Sequence, residues 1–149
     1  MVISAGKRAP AFTAKATGDR EISLSDYAGK KNVMLAFFPF VFSPVCSEQI
    51  PAYSENAQRF TDLDTDVLAV SVDSPWSQGA WVEQYGIRVP VLSDFSKKIA
   101  GDCKQLGKRY VEGIKGVTNQ RFVINTGMKV RPFTLRFTFR IPSPLGWSD

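Results

Sequence analysis

Residues 32–40 read Asn-Val-Met-Leu-Ala-Phe-Phe-Pro-Phe, and this almost wholly apolar run constrains the fold more than any other feature of the chain. A strand that is apolar at consecutive positions is typical of the centre of an α/β sheet, where it is buried on both faces. A second largely apolar run covers 67–72, and a shorter one covers 89–92. The sequence therefore predicts a layered α/β protein.

Helical spacing fills the segments between these runs. The periodicity predicts helices over 43–63, 74–85 and 96–106, a hairpin of strands at 12–16 and 22–24, a strand at 121–125 and a turn into 129–131. This alternation favours a central mixed β-sheet flanked by helices. Because the 149 residues contain no linker, repeat or low-complexity stretch, we expect a single domain over 1–149.

Two features of the composition limit the chemistry. The chain has no histidine and only two cysteines, Cys46 and Cys103, which excludes Ser-His-Asp and Cys-His catalysis, histidine metal sites and a zinc ribbon. The net charge is +5, but the basic residues are scattered, so no nucleic-acid partner is expected. With no apolar run of roughly 18 residues and no secretory signal pattern, we expect a cytoplasmic protein without a membrane span.

Cys46 lies at the start of a predicted helix, directly after the apolar run. Ser43 suits the N-cap position and Pro44 suits the first helical position, which makes Cys46 the third residue of the helix. Free N–H groups and the positive end of the helix dipole favour a thiolate there, so we expect the pKa of Cys46 to be lowered. Pro51 is expected to kink the helix or form an irregular turn. The alternative for Cys46 is a small apolar residue packed in the core.

The spacing Pro39-x-x-x-Ser43-x-x-Cys46 after an apolar strand resembles the active-site motif of the peroxiredoxins. The resemblance covers roughly residues 3 to 131 and includes the segments 8–13, 22–27, 70–75 and 91–94. In its size and in the sequence Phe-Ser-Pro-Val-Cys, the chain most resembles members of the one-cysteine, alkyl-hydroperoxide-reductase-E-like branch.

This resemblance implies a thioredoxin-like fold and thiol-dependent reduction of hydrogen peroxide and organic hydroperoxides, with no metal, flavin or haem. Cys46 would attack the peroxide and become a sulfenic acid. Ser43 would hydrogen-bond the thiolate and the peroxide, and Pro39 would shield the site. The implied partners are the peroxide, an external thiol reductant of the thioredoxin, glutaredoxin or mycoredoxin type, and further copies of the chain in a homodimer or higher homo-oligomer.

The family also places an arginine near the sulfur, three residues before the phenylalanine that opens the strand at 122–125. Asn119 occupies that position here, and Arg121 stands two residues later. Because alternate residues of a strand share a face, we expect Arg121 to reach the site instead. A surface arginine is the alternative.

The second cysteine and the tail depart from the family pattern. Some relatives carry a resolving cysteine five residues after the first, where this chain has Pro51. Cys103 shares a helical face with Ile99 and Leu106, which favours core packing over a resolving role. Residues 132–149 form an atypical tail: the family normally closes with a helix, whereas 133–141 alternates strictly and predicts a half-buried strand.

Two other functions remain open on the sequence alone. A non-catalytic thioredoxin-fold module, acting as a binding partner or holdase through its apolar tail, would fit the displaced arginine and the departure at 132–149. A thiol transferase would use Ser43-x-x-Cys46 with glutathione. Dithiol exchange is disfavoured because Ser43 occupies the first position of the Cys-x-x-Cys pattern.

Overall fold

The computed structural model describes residues 6–102 and 121–131, except for the side chains of Arg121 and Phe122. The strands are β1 (Thr13–Ala16), β2 (Arg20–Ser23), β3 (Asn32–Phe37), β4 (Thr65–Ser71), β5 (Val91–Ser93), β6 (Arg121–Ile124) and β7 (Val130–Arg131). The helices are α1 (Pro44–Glu55), α2 (Ala57–Thr61), α3 (Pro75–Tyr85) and α4 (Lys98–Asp102), with a 3-10 turn at Leu24–Tyr27.

These strands form one sheet in the order β2-β1-β5-β4-β3-β6-β7. Strands β3, β4 and β5 are parallel, whereas the pairs β1–β2, β1–β5, β3–β6 and β6–β7 are antiparallel. The mixed sheet and its flanking helices are those predicted from the sequence. Because β3 lies between β4 and β6, the apolar run occupies an interior position of the sheet.

Alternate side chains of β3 enter two apolar cores on opposite faces of the sheet. Val33, Leu35 and Phe37 belong to the first core. Met34 and Ala36 belong to the second, which also receives side chains from α1 and α3. Burial on both faces explains why the strand is apolar at consecutive positions.

The prediction of one continuous helix over 43–63 is wrong, because this segment forms two helices, α1 and α2. Helix α1 ends before Asn56, whose backbone (φ −106°, ψ 17°) leaves the helical conformation. The Asn56 side chain donates a hydrogen bond to the Ala52 carbonyl (2.8 Å), which satisfies an acceptor at the helix end. Helix α1 stays α-helical across Pro51, so no irregular turn forms there, and the alternative of a kink stays a prediction.

The predicted helix 74–85 is confirmed as α3, which Gly86 ends in a left-handed conformation (φ 62°). The helix predicted over 96–106 is described only as far as Asp102. Cys103, Asn119 and the tail 132–149, with its predicted strand, lie outside the described residues. In the described part of the chain, no helix reaches the length and apolarity that crossing a bilayer requires.

Candidate active site

The start of helix α1 has the arrangement that the sequence predicts. Ser43 is the N-cap with an extended backbone (φ −68°, ψ 144°), and Pro44 is the first helical residue. The Ser43 side chain does not cap the helix. Its Oγ instead donates to the Phe40 carbonyl at 3.0 Å, within the loop that connects β3 to α1. Cys46 therefore lies at the carboxyl end of β3, where open α/β sheets bind ligands.

The side chain of Cys46 is completely buried in the second apolar core. Burial raises the pKa of the Cys46 thiol above its ordinary value, because the charged thiolate would lose its solvation. The expectation that the helix start lowers this pKa is therefore wrong for this conformation. The apolar neighbours in this core include Met34, Ala36, Phe38, Ile50 and Trp81.

Three polar groups nevertheless act on the sulfur. Hydrogen bonds with the Ser43 side chain and with the Phe40 backbone lower the pKa of Cys46, although less than burial raises it. The negative charge of Asp73 adds a further increase to the pKa. Burial outweighs these two favourable groups, so the arrangement favours the neutral thiol.

Pro39 and Arg121 are the other two residues predicted for the site. Pro39 is half-buried in the loop that directly follows β3. Arg121 stands opposite Ala36 in the β3–β6 register, and Ala36 belongs to the core that contains Cys46. The side chain of Arg121 lies outside the described part of the structure, so its contact with the sulfur stays a prediction.

Asp73 is a polar residue near the site to which sequence reasoning assigns no role. Its Oδ2 accepts hydrogen bonds from the Val41 backbone N–H (3.0 Å) and from Ser71 Oγ (2.8 Å). Asp73 follows β4, and β4 is parallel to β3. The sequence allows both Glu48 and Asp73 to lie near the site, and Asp73 does so because the carboxyl ends of parallel strands meet at one edge of a sheet.

Trp81 links α3 to the helix that carries Cys46. The sequence predicts packing or a dimer surface for both Trp76 and Trp81. Trp76 is 84% exposed, whereas Trp81 is fully buried and its Nε1 donates to Ser47 Oγ at 3.1 Å. Its ring lies 5.1 Å from that of Phe38. Trp81 thus packs beside the residue that follows Cys46.

No metal site accompanies these groups within residues 6–102 and 121–131. No cluster there brings together three or more cysteine, aspartate or glutamate side chains that could hold a metal ion, and the chain has no histidine.

Comparison with known proteins identifies the family of the chain. The sequence model of the AhpC/TSA family matches residues 5–133. The 2-cysteine peroxiredoxin of Chattonella marina var. antiqua is 42% identical over an alignment of 116 residues, with a coverage of 71% of this chain and 60% of that protein. Peroxiredoxin prdx-2 of Caenorhabditis elegans is 36% identical over an alignment of 140 residues, with a coverage of 87% of this chain and 67% of that protein.

Solved structures agree with this result. The reduced 2-Cys peroxiredoxin of Plasmodium vivax superposes with a TM-score of 0.73 at 30% identity, covering 85% of this chain and 82% of that one. Peroxidoxin BcpB of Mycobacterium tuberculosis gives a TM-score of 0.75 at 22% identity, covering 86% and 82%, and supports the fold alone. Fold and site together define a thioredoxin-like protein with a cysteine in the first turn of the helix after an interior strand.

The chain belongs to the AhpC/TSA family, the peroxiredoxins. It spans only part of some curated relatives, for example 50% of the chloroplastic 2-Cys peroxiredoxin BAS1 of Hordeum vulgare. Because these relatives are named as 2-Cys proteins, the placement in the one-cysteine branch stays a prediction.

Proposed function

We propose that this chain is a thiol-dependent peroxidase that reduces hydrogen peroxide and organic hydroperoxides at Cys46. One observation carries the proposal: in a chain of the AhpC/TSA family, Cys46 occupies the first turn of α1, where the Ser43 side chain and the Phe40 backbone act to lower the pKa of its thiol. These are groups that can stabilise a thiolate and a polar oxidant beside it.

In the proposed reaction the Cys46 thiolate attacks one oxygen of the peroxide. A sulfur–oxygen bond forms while the oxygen–oxygen bond breaks, and the departing oxygen takes up a proton and leaves as water or alcohol. Cys46 becomes a sulfenic acid, and its two electrons reduce the peroxide. The N–H groups of the first turn would stabilise the charge that develops during bond exchange.

The neighbouring residues have separate parts in this proposal. The Ser43 hydroxyl orients the peroxide and hydrogen-bonds the thiolate, and Pro39 shields the sulfur from bulk water. The cationic side chain of Arg121 would lower the pKa of Cys46 and oppose the effect of burial. The register of β6 against β3 supports this assignment, because it sets position 121 opposite Ala36.

We also propose that an external thiol regenerates the enzyme. Pro51 occupies the place five residues after Cys46 where some relatives carry a second cysteine, and Cys103 is the only other cysteine in the chain. The sulfenic acid would condense with a thioredoxin-, glutaredoxin- or mycoredoxin-like thiol, and a second thiol would then reduce the mixed disulfide. We propose a cytoplasmic homodimer or higher homo-oligomer as the working form.

The test is peroxide consumption by the purified protein with dithiothreitol as the reductant. We expect thiol-dependent loss of hydrogen peroxide and cumene hydroperoxide, and labelling of Cys46 by dimedone after oxidation. Cys46→Ser should abolish both results, whereas Cys103→Ser should retain turnover if the external thiol suffices. Equal turnover by Cys46→Ser would overturn the proposal.

Complete burial of Cys46 favours a second candidate, a non-catalytic thioredoxin-fold module that binds partners or acts as a holdase. A neutral, buried thiol is typical of a cysteine that serves packing alone. This candidate predicts no thiol-dependent turnover and oligomers that disperse when residues 132–149 are removed. Turnover that depends on Cys46, with a full-length monomer, would contradict it.

A further inference from the structure

Asp73 contacts the loop between β3 and α1, although the proposed reaction gives it no part. One carboxylate oxygen, Oδ2, accepts the Val41 backbone N–H at 3.0 Å. Val41 follows Phe40 and precedes Ser43 by two positions, so it lies between the two residues whose polar groups lower the pKa of Cys46. Asp73 therefore anchors the loop at its middle.

Asp73 is itself held in place, through one bond to its carboxylate and one to its backbone carbonyl. Ser71 Oγ donates to the same Oδ2 atom at 2.8 Å, and the buried Gln78 side chain on α3 donates to that Ser71 oxygen at 2.8 Å. The Gln78 amide also donates to the Leu92 carbonyl of β5 at 2.8 Å. Ser93 Oγ donates to the Asp73 carbonyl at 2.7 Å. Elements β4, β5 and α3 thus fix Asp73, and Asp73 fixes the loop.

The loop needs such an anchor because part of its backbone is strained. Phe42 has φ 63°, a left-handed conformation that is unfavourable for a bulky residue and persists only where the surroundings impose it. On one side of Phe42 the Val41 N–H is bound by Asp73, and on the other Ser43 begins α1. Releasing the Val41 contact would let Phe40 and Ser43 move relative to Cys46.

We propose that Asp73 is a positioning residue, which holds the loop so that the Phe40 backbone and the Ser43 hydroxyl meet the Cys46 sulfur. The inference rests on the proposed function, because it treats that sulfur as the reacting atom. Asp73 touches neither the sulfur nor the substrate in this role. It acts through the hydrogen bond to Val41.

The charge of Asp73 has the opposite effect on the thiol. It raises the pKa of Cys46, whereas the two hydrogen bonds that it helps to place lower that pKa. Variants that remove the charge and the anchor separately can therefore distinguish the two effects. The other titratable groups on elements packed around Cys46 are Glu48, Tyr53 and Glu55 of α1, Arg59 of α2, Asp66 of β4, Glu83 and Tyr85 of α3, Arg88 beyond α3, and Arg121 of β6.

The experiment compares Asp73→Asn with Asp73→Ala, each in a Cys103→Ser background that leaves Cys46 as the single thiol. Because Oδ2 accepts both hydrogen bonds, the oxygen of an asparagine can replace it while the charge is lost. Alanine loses the charge and the anchor together. Asp66→Asn is the matched control, since Asp66 lies near the opposite end of β4 and pairs with Lys31 (3.1 Å).

The readout is thiolate formation against pH, followed by ultraviolet absorbance and by the rate of iodoacetamide alkylation. Asp73→Asn should titrate at lower pH than the parent and react about threefold faster with iodoacetamide at neutral pH, the size expected for a partly screened charge. Asp73→Ala should titrate at higher pH than Asp73→Asn, because it loses the hydrogen bonds at the sulfur. Its reaction with hydrogen peroxide should be about tenfold slower than that of Asp73→Asn. Asp66→Asn should match the parent.

Coincident titrations of Asp73→Asn and Asp73→Ala would overturn the positioning role. Should Asp73→Ala fail to fold, as circular dichroism would reveal, Ser71→Ala provides the second variant. It keeps the charge and loses one support of Oδ2, so it should titrate above the parent, and an unchanged titration would overturn the proposal. The alkylation assay contains no peroxide. The expected titrations in a protein without peroxidase activity would therefore support the role of Asp73 and overturn the proposed function.

Discussion

Helices α1 and α3 both begin with a Ser-Pro pair but use it differently. The first starts Ser43-Pro44-Val45-Cys46 and the third starts Ser74-Pro75-Trp76-Ser77. Both follow parallel strands, and both N-cap serines have φ −68° with an extended ψ. Because the local backbone is alike, differences between the two helix starts arise from the side chains and their surroundings.

The two serine hydroxyls have different partners. Ser74 Oγ accepts the Ser77 N–H at 3.2 Å and caps its own helix. Ser43 Oγ makes no capping bond and donates to the Phe40 carbonyl. The third helical residue also differs, since Ser77 is exposed and Cys46 is buried. In α3 the serine hydroxyl caps the helix, whereas in α1 the matching hydroxyl binds a carbonyl of the preceding loop and leaves the helix start uncapped.

The largest expected effect comes from exchanging the third helical residues. Cys46→Ser gives α1 the serine pattern of α3 and should remove peroxide consumption entirely, because the attacking sulfur is lost. Adding Ser77→Cys to that variant gives α3 a cysteine in its first turn, yet it should restore no activity. Peroxide consumption with dithiothreitol measures both variants.

This double variant tests whether the helix start alone creates the chemistry. Ser77 is exposed and lies neither in the second apolar core nor beside the loop that connects β3 to α1. A cysteine at this position should therefore behave like an ordinary exposed cysteine. Recovery of turnover in the double variant would contradict the importance that we give to those surroundings.

The next effect separates the two serines. Ser43→Ala should slow the reaction with peroxide about tenfold, because it removes a hydrogen bond to a charged sulfur, and should change the stability little. Ser74→Ala should lower the free energy of unfolding by about 1 kcal/mol, the usual cost of losing a helix cap, with the peroxide rate unchanged. Stopped-flow oxidation and urea unfolding measure the two quantities.

Each variant acts as the control for the other, since both remove one hydroxyl from an N-cap. If Ser43→Ala were destabilised as much as Ser74→Ala with its peroxide rate intact, Ser43 would be an ordinary cap.

The smallest effect is a pH dependence of the free energy of unfolding that arises from the Cys46 thiol on α1. Burial raises the pKa of Cys46 in the folded chain above that in the unfolded chain. The resulting stabilisation is complete below the ordinary thiol pKa of about 8.5 and is lost as pH rises through the higher folded value. The stability difference between the parent and Cys46→Ala should therefore shrink at alkaline pH.

Ser77→Ala is the reference for this measurement, because the serine hydroxyl does not titrate in this range. Its stability difference from the parent should stay constant with pH. A difference for Cys46→Ala that grows at alkaline pH would show that the thiolate, rather than the thiol, is the form that the fold prefers.

The features predicted correctly from the sequence are those that neighbouring residues determine. The buried character of β3 and the position of Cys46 in the first turn of α1 follow from local patterns, as does the Gly86 end of α3. The break at Asn56 was missed, because the apolar spacing continues through to Phe60.

The pKa of Cys46 was predicted with the wrong sign for a related reason. The helix start is visible in the sequence, but the desolvation that opposes it comes from residues such as Met34 and Trp81, which are distant along the chain. Asp73 likewise reaches the site across 32 positions, through a bond to Val41. Electrostatic contributions from tertiary packing cannot be judged from spacing alone.

The left-handed backbone of Phe42 has a consequence for the loop before the cysteine helix. A bulky residue in this conformation stores on the order of 1–3 kcal/mol, which the chain recovers when the segment relaxes. The Phe42 ring, 46% exposed, lies 6.4 Å from that of Tyr85, so its displacement would disturb little of the interior. Relaxation of this one segment would therefore change the loop before the cysteine helix while the sheet beneath it stays intact.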